Sequence, residues 1–146
     1  MPIEKTIEES FDRSFALYRD LVDSLDEATL SSKLPQLPSN TLGQQLWCVV
    51  GARESFSKAI TANQWSGFVC SLETTTSKTS VADALRRSAT AVSIVLKTID
   101  SYSDVQTRLI IDLLEHEASH HGQLIRYLYG LKLEIPESWK SKYALK

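Results

Sequence analysis

The sequence contains little of what marks the more specialised classes of protein. Two cysteines in 146 residues are too few for the disulfide framework of a small secreted domain. The 18 acidic and 16 basic residues nearly balance, with a formal charge of -2, and no basic cluster favours binding to nucleic acid. No apolar run approaches the length that a bilayer crossing needs. We therefore expect a globular protein that binds neither nucleic acid nor a membrane.

The length and the N-terminal residues set two further expectations. A chain of 146 residues can bury enough apolar surface to fold as one domain, which we assign to residues 1–146. The first residues have neither the basic region nor the apolar region of a signal peptide, so we expect a cytoplasmic protein. In a reducing compartment Cys48 and Cys70 are expected to be free thiols or metal ligands, with a disulfide between them as the alternative.

The sequence also lacks the sustained alternation of β-strands and shows helical periodicity in four segments. We predict helices over residues 3–25, from 39–41 to about 60, from about 80 to 99, and from 103 to about 128. Three pairs have the spacing of a capping box, namely Thr41 with Gln44, Ser80 with Asp83, and Ser103 with Gln106. The fold class predicted is all-α, a four-helix bundle.

Two segments outside these helices are rich in aromatic residues. Residues 63–79 form a long crossover linker that contains Trp65 and Phe68, and we expect it to pack back as a lid over one end of the bundle. A short C-terminal tail begins at Pro136 and contains Trp139 and Tyr143. The two aromatic residues predict that this tail docks on the bundle.

The most informative motif is His116-Glu117-Ala118-Ser119-His120, inside the fourth predicted helix. Residues four apart on a helix project from the same face, which lets one helix offer two nitrogens to a single metal ion. Both histidines fall on the apolar stripe of that helix, which also includes Val105, Leu109, Leu113, Leu124, Tyr127 and Leu131. They are therefore expected to point inward, where two imidazoles need partners. Two core histidines satisfied by hydrogen bonds are the alternative.

A third ligand is available on the second helix. Cys48 lies on a stripe of small and polar residues, made up of Thr41, Gln44, Ala52, Ser55 and Ala59, which is unusual for a core and natural around a site. A thiolate with two imidazoles suits zinc, and three protein ligands leave the fourth position open, as in catalytic sites. We predict a divalent metal at Cys48, His116 and His120.

The same motif also matches the HExxH signature of zinc proteases, in which the glutamate acts as general base. We disfavour a protease because no third ligand follows at the expected spacing and no sheet is predicted to hold a peptide. Glu117 is rotated by about a hundred degrees from the ligand side of the helix, which makes it a weak general base.

The chain resembles the DinB/YfiT-like superfamily over nearly its whole length. The resemblance depends on the order of four helices, the segment 41–54, and the ending His116-xxx-His120-x-Gly122-Gln123-Leu124. It implies a metal, often nickel or zinc, held by one histidine of the second helix and two of the fourth. In this chain Cys48 stands at the position of the second-helix histidine, and His121 stands at a position where many relatives carry arginine. It also implies a small-molecule substrate such as a low-molecular-weight thiol, a thiol-transferase or hydrolase reaction, and a homodimer.

An alternative function remains at this stage, a non-catalytic bundle with a degenerate metal site that acts as a stress-related or interaction module. In that case Cys48 is only a small buried residue and the aromatic linker is an interaction surface. For the residues around the site we expect Gln44 or Gln123 to hold a metal-bound water or to orient an imidazole. We expect Arg53 and Glu54 to form a local ion pair.

Overall fold

A computed structural model describes residues 2–146 and shows an all-helical chain, with no strand within that range. The five α-helices are α1 (Ile3–Ser24), α2 (Leu42–Ala62), α3 (Lys78–Thr98), α4 (Asp104–Gly130) and α5 (Glu137–Tyr143), with a short 3-10 helix at Glu27–Ser31. The four predicted segments correspond to α1–α4. None of the helices within residues 2–146 is long and apolar enough to cross a membrane.

The helix starts show where local sequence controls the structure. Thr41 and Gln44 form a full capping box before α2, and Ser103 and Gln106 form another before α4, as predicted. The predicted pair Ser80 with Asp83 is wrong. The N-cap of α3 is Ser77, whose side chain accepts a hydrogen bond from the backbone N–H of Ser80, because the helix begins one turn earlier than its apolar stripe suggests.

The long helices pack so that α1 and α2 each contact both α3 and α4. Their buried apolar residues form two separate clusters. One includes Leu21, Leu46, Leu85 and Leu124, and the other includes Phe11, Ala52, Val92 and Leu113. On every long helix the chain passes from one cluster to the other within about three turns. The polar residues between these positions therefore meet at one level of the core.

The linker and the tail both lie against the long helices. Trp139 of α5 is fully buried, and its indole N–H donates to the carbonyl oxygen of Leu17, 2.7 Å away, which confirms that the tail docks. The linker runs along α2. There the hydroxyl of Ser55 bonds both the carbonyl oxygen and the N–H of Val69 at 3.0 and 2.8 Å. Trp65 and Phe68 of the linker remain about half exposed.

One residue of the predicted inner stripe of α4 is on the outside. Val105 is 48% exposed, whereas Leu109, Leu113, Leu124 and Tyr127 are buried as expected. Val105 lies in the first turn of α4, and the first buried residue of that helix is Leu109. The inward face of α4 therefore begins at Leu109 and passes through the two histidines.

Candidate metal centre

A layer of polar side chains divides the two apolar clusters. Its buried members include Ser14 from α1, Arg53 from α2, Ser88 from α3 and Glu117 from α4. His120 and His121 are buried at the same level of α4. Buried polar groups are costly unless they are paired, so this layer is where a functional site is to be sought.

The structure brings the three predicted ligands together. One ligand atom from each of Cys48, His116 and His120 lies within 4.8 Å of the other two. The Cys48 Sγ atom is 3.6 Å from His116 Nε2. A tetrahedral zinc with bonds of about 2.3 Å to sulfur and about 2.05 Å to nitrogen sets two such atoms about 3.6 Å apart. The Cys48–His116 pair therefore has the spacing of two zinc ligands, and the Cys-His-His group could hold a metal ion.

Burial shifts the pKa of all three ligand side chains. It lowers the pKa of His116, and, together with the charge of His116, it lowers the pKa of His120 to about 4. Both imidazoles are therefore neutral at pH 7, the state that binds metal. Burial raises the pKa of the Cys48 thiol, so a metal must displace a proton from this residue.

The two histidines differ in how their second nitrogen is held. His120 Nδ1 lies 2.7 Å from the amide oxygen of Gln45, which leaves Nε2 as the nitrogen available to a metal. His116 Nδ1 is buried and has no hydrogen-bond partner within residues 2–146. The expectation that Gln44 or Gln123 orients an imidazole is wrong. Gln44 caps α2 and Gln123 is exposed, whereas Gln45 is one position further round the helix and faces α4.

Glu117 forms a buried ion pair with Arg53. The Nε and Nη2 atoms of Arg53 lie 2.5 and 3.3 Å from the two carboxylate oxygens, and both side chains are 1% exposed. The predicted pair of Arg53 with Glu54 is therefore wrong. The carboxylate of Glu54 instead accepts hydrogen bonds from the backbone N–H and the hydroxyl of Ser71 in the linker. Because Arg53 engages both of its oxygens, Glu117 is unsuited to act as a general base.

Behind the ion pair, hydrogen bonds continue to the tail. Ser14 Oγ lies 2.8 Å from Glu117 Oε2 and 2.8 Å from His121 Nε2, and His121 Nδ1 lies 2.7 Å from the hydroxyl of Tyr143. The carboxylate can only accept, so the single proton of Ser14 is donated to it. His121 must then donate to Ser14, which means that it cannot act as a base that activates this serine. His121 is thus a structural partner of Ser14 and Tyr143 and lies outside the ligand group.

The linker covers the neighbouring face of α2. The ring of Phe68 stacks near Trp47, with centroids 5.1 Å apart, and it occupies the space beside Gly51, where a Cβ atom would meet it at 2.1 Å. Cys70 donates its S–H to the carbonyl oxygen of Trp47 at 3.5 Å. Cys48 and Cys70 are both free, so the disulfide alternative does not describe this structure.

Comparisons with family models, with curated proteins and with solved structures found no match to this chain. The resemblance to the DinB/YfiT-like superfamily therefore stays a prediction. What can be said of function depends on the geometry of the Cys-His-His group and of the residues around it.

Proposed function

We propose that this protein is a divalent-metal-binding four-helix bundle of the DinB/YfiT-like type, with Cys48, His116 and His120 as its ligands. The observation that carries the proposal is the convergence of three ligand atoms, from two helices, within 4.8 Å of one another. A thiolate with two imidazoles suits zinc first and nickel second. Three protein ligands leave one position for a substrate.

We further propose that the protein is a metal-dependent enzyme of the thiol-transferase or hydrolase type. A divalent metal bound here would lower the pKa of a coordinated thiol or water near neutrality. The ligand side chains reach the protonation states that metal binding needs. Cys48 releases its proton to become a ligand, and the two histidines are already neutral. Glu117 stays paired with Arg53, which disfavours the protease interpretation of the HExxH motif.

The competing proposal is a non-catalytic interaction module. Its support is the group of large apolar side chains on and beside the linker, where Trp47, Trp65, Phe68 and Val69 are 38 to 51% exposed. Exposed apolar groups of this kind are found at interaction surfaces. In this case the metal site has no reaction to perform, and variants of the linker rather than of Cys48 would impair function.

The first experiment is the metal content of protein purified without an affinity tag, for wild type, Cys48→Ala, His120→Ala and the matched control Cys70→Ala. We expect about one zinc or nickel ion per chain in the wild type and the control, and none in the two ligand variants. Absence of metal from the wild type, with no uptake of added zinc or nickel, would refute the proposal. If metal is found, the metal-loaded protein would be assayed with low-molecular-weight thiols.

A further inference from the structure

Gln45 connects the metal centre to the chain that precedes α2. Its side chain is 7% exposed. The amide oxygen lies 2.7 Å from His120 Nδ1, and the amide nitrogen donates to Asn40 Oδ1, also at 2.7 Å. Gln45 is therefore held at both ends, and each end requires a different hydrogen-bonding role from its partner.

Asn40 is in turn fixed by α4. The hydroxyl of Tyr127 donates to the carbonyl oxygen of Asn40 at 2.5 Å and lies 3.0 Å from Asn40 Oδ1. Tyr127 is 2% exposed and lies seven residues after His120, on the same face of α4. The contacts form a closed circuit that leaves α4 at His120, passes through Gln45 and Asn40, and returns to α4 at Tyr127.

The directions of these hydrogen bonds are linked. If the amide nitrogen of Gln45 donates to Asn40, the amide oxygen must accept from His120, which requires the proton of the ring on Nδ1. Nε2 then carries a lone pair toward Cys48 and His116. If both amides were reversed, Gln45 would donate to Nδ1, the proton would move to Nε2, and His120 could not bind a metal in that form.

We propose that Gln45, Asn40 and Tyr127 form a positioning relay that holds His120 in the Nδ1–H tautomer and so presets Nε2 as a metal ligand. The metal part of this inference rests on the proposed function, whereas the tautomer is a property of the metal-free protein. Partners that fix the second nitrogen of a metal-ligating histidine raise metal affinity by about 10- to 100-fold. Among the described residues 2–146, His116 Nδ1 has no such partner, so only His120 is preset in this way.

The first test is the tautomer of His120 in metal-free protein at neutral pH, read from nitrogen-15 chemical shifts and their couplings to the ring protons. We expect the Nδ1–H form in the wild type and its loss in Gln45→Leu. Asn40→Asp should keep the Nδ1–H form, since a carboxylate can only accept the hydrogen bond from Gln45 and cannot reverse. An Nε2–H tautomer in the wild type would overturn the relay, whatever the variants do.

The second test is the zinc dissociation constant, measured by competition with a chromophoric chelator. We expect zinc binding to weaken by about 10- to 100-fold in Gln45→Leu and to stay at the wild-type value in the exposed control Gln123→Leu. Circular dichroism would verify that each variant is folded. Equal affinity of folded Gln45→Leu and wild type would overturn the role in metal binding.

The two measurements separate this inference from the proposed function. A wild type that shows the Nδ1–H tautomer but binds no zinc would support the relay as a structural feature and refute the metal centre. A wild type that binds zinc with His120 in the Nε2–H form before loading would support the metal centre and refute the relay.

Discussion

Replacement of Arg53 by methionine should destabilise the protein strongly, because it leaves the carboxylate of Glu117 buried without its charged partner. Both side chains are 1% exposed. Arg53 also donates to the carbonyl oxygen of Leu85 at 3.0 Å and stacks over Phe15 and Tyr18 at 4.6 and 5.0 Å. Removing one partner of a buried ion pair costs about 3 to 5 kcal/mol. That is a large share of the roughly 5 to 15 kcal/mol by which a domain is stable.

The assay is urea unfolding at pH 7, followed by far-ultraviolet circular dichroism, for Arg53→Met, Glu117→Leu and the double variant. The methionine keeps most of the length and apolar contact of the arginine stem. We expect the double variant to be more stable than Arg53→Met alone, since no unpaired charge remains in it. The reasoning would be refuted if Arg53→Met cost less than about 1 kcal/mol, or if the two single losses were simply additive.

The same ion pair separates the metal-site interpretation from the protease one. Glu117 is not in the ligand group, so folded Glu117→Gln protein should retain the wild-type metal content while losing stability. In a zinc protease the equivalent change would remove the general base and leave the fold intact. Both interpretations leave the metal ligands intact, so it is the urea unfolding of this one variant, and not its metal content, that distinguishes the two.

Three further predictions follow from the packing and the buried histidines. Gly43→Ala should cost about 1 to 3 kcal/mol in urea unfolding, because its Cβ would lie 2.2 Å from the carbonyl oxygen of Thr75. The matched control Gly122→Ala, which meets nothing within 4 Å, should stabilise by about 0.5 to 1 kcal/mol. Burial lowers the pKa of His121 to about 4, below its ordinary 6.5. The stability that depends on a neutral His121 is therefore complete above about pH 6.5 and is lost as the pH falls toward 4. In His121→Gln, the free energy of unfolding should change less with pH over this range. Zinc binding should weaken on acidification in wild type and Cys70→Ser alike, because only Cys48 must lose a thiol proton to bind the metal. A Cys70→Ser variant with altered zinc affinity would contradict the ligand assignment.

Within the fold, the sequence predicted best those features that depend on neighbours along the chain. The capping boxes at Thr41 and Ser103 close between residues three apart, and the histidines of α4 share a face because of helix geometry alone. The start of α3 was misplaced because Ser80 and Asp83 have the right spacing and Ser77 also has a suitable side chain. Only the packing of the chain before α3 selects between them.

For the candidate site, the sequence by itself determined the ligand types and the pairing of His116 with His120, since both follow from residue identity and the period of one helix. The stripe on α2 predicted that Cys48 faces this pair, but only the packing of α2 against α4 brings the three residues together. Tertiary structure alone decided the partners. Glu117 pairs with Arg53 across 64 positions, and Gln45, rather than Gln44 or Gln123, reaches His120 across 75. Which residue makes such a contact depends on how α2 is rotated about its axis where it packs against α4, because one position along the helix changes the direction of the side chain. No spacing along the chain encodes that rotation.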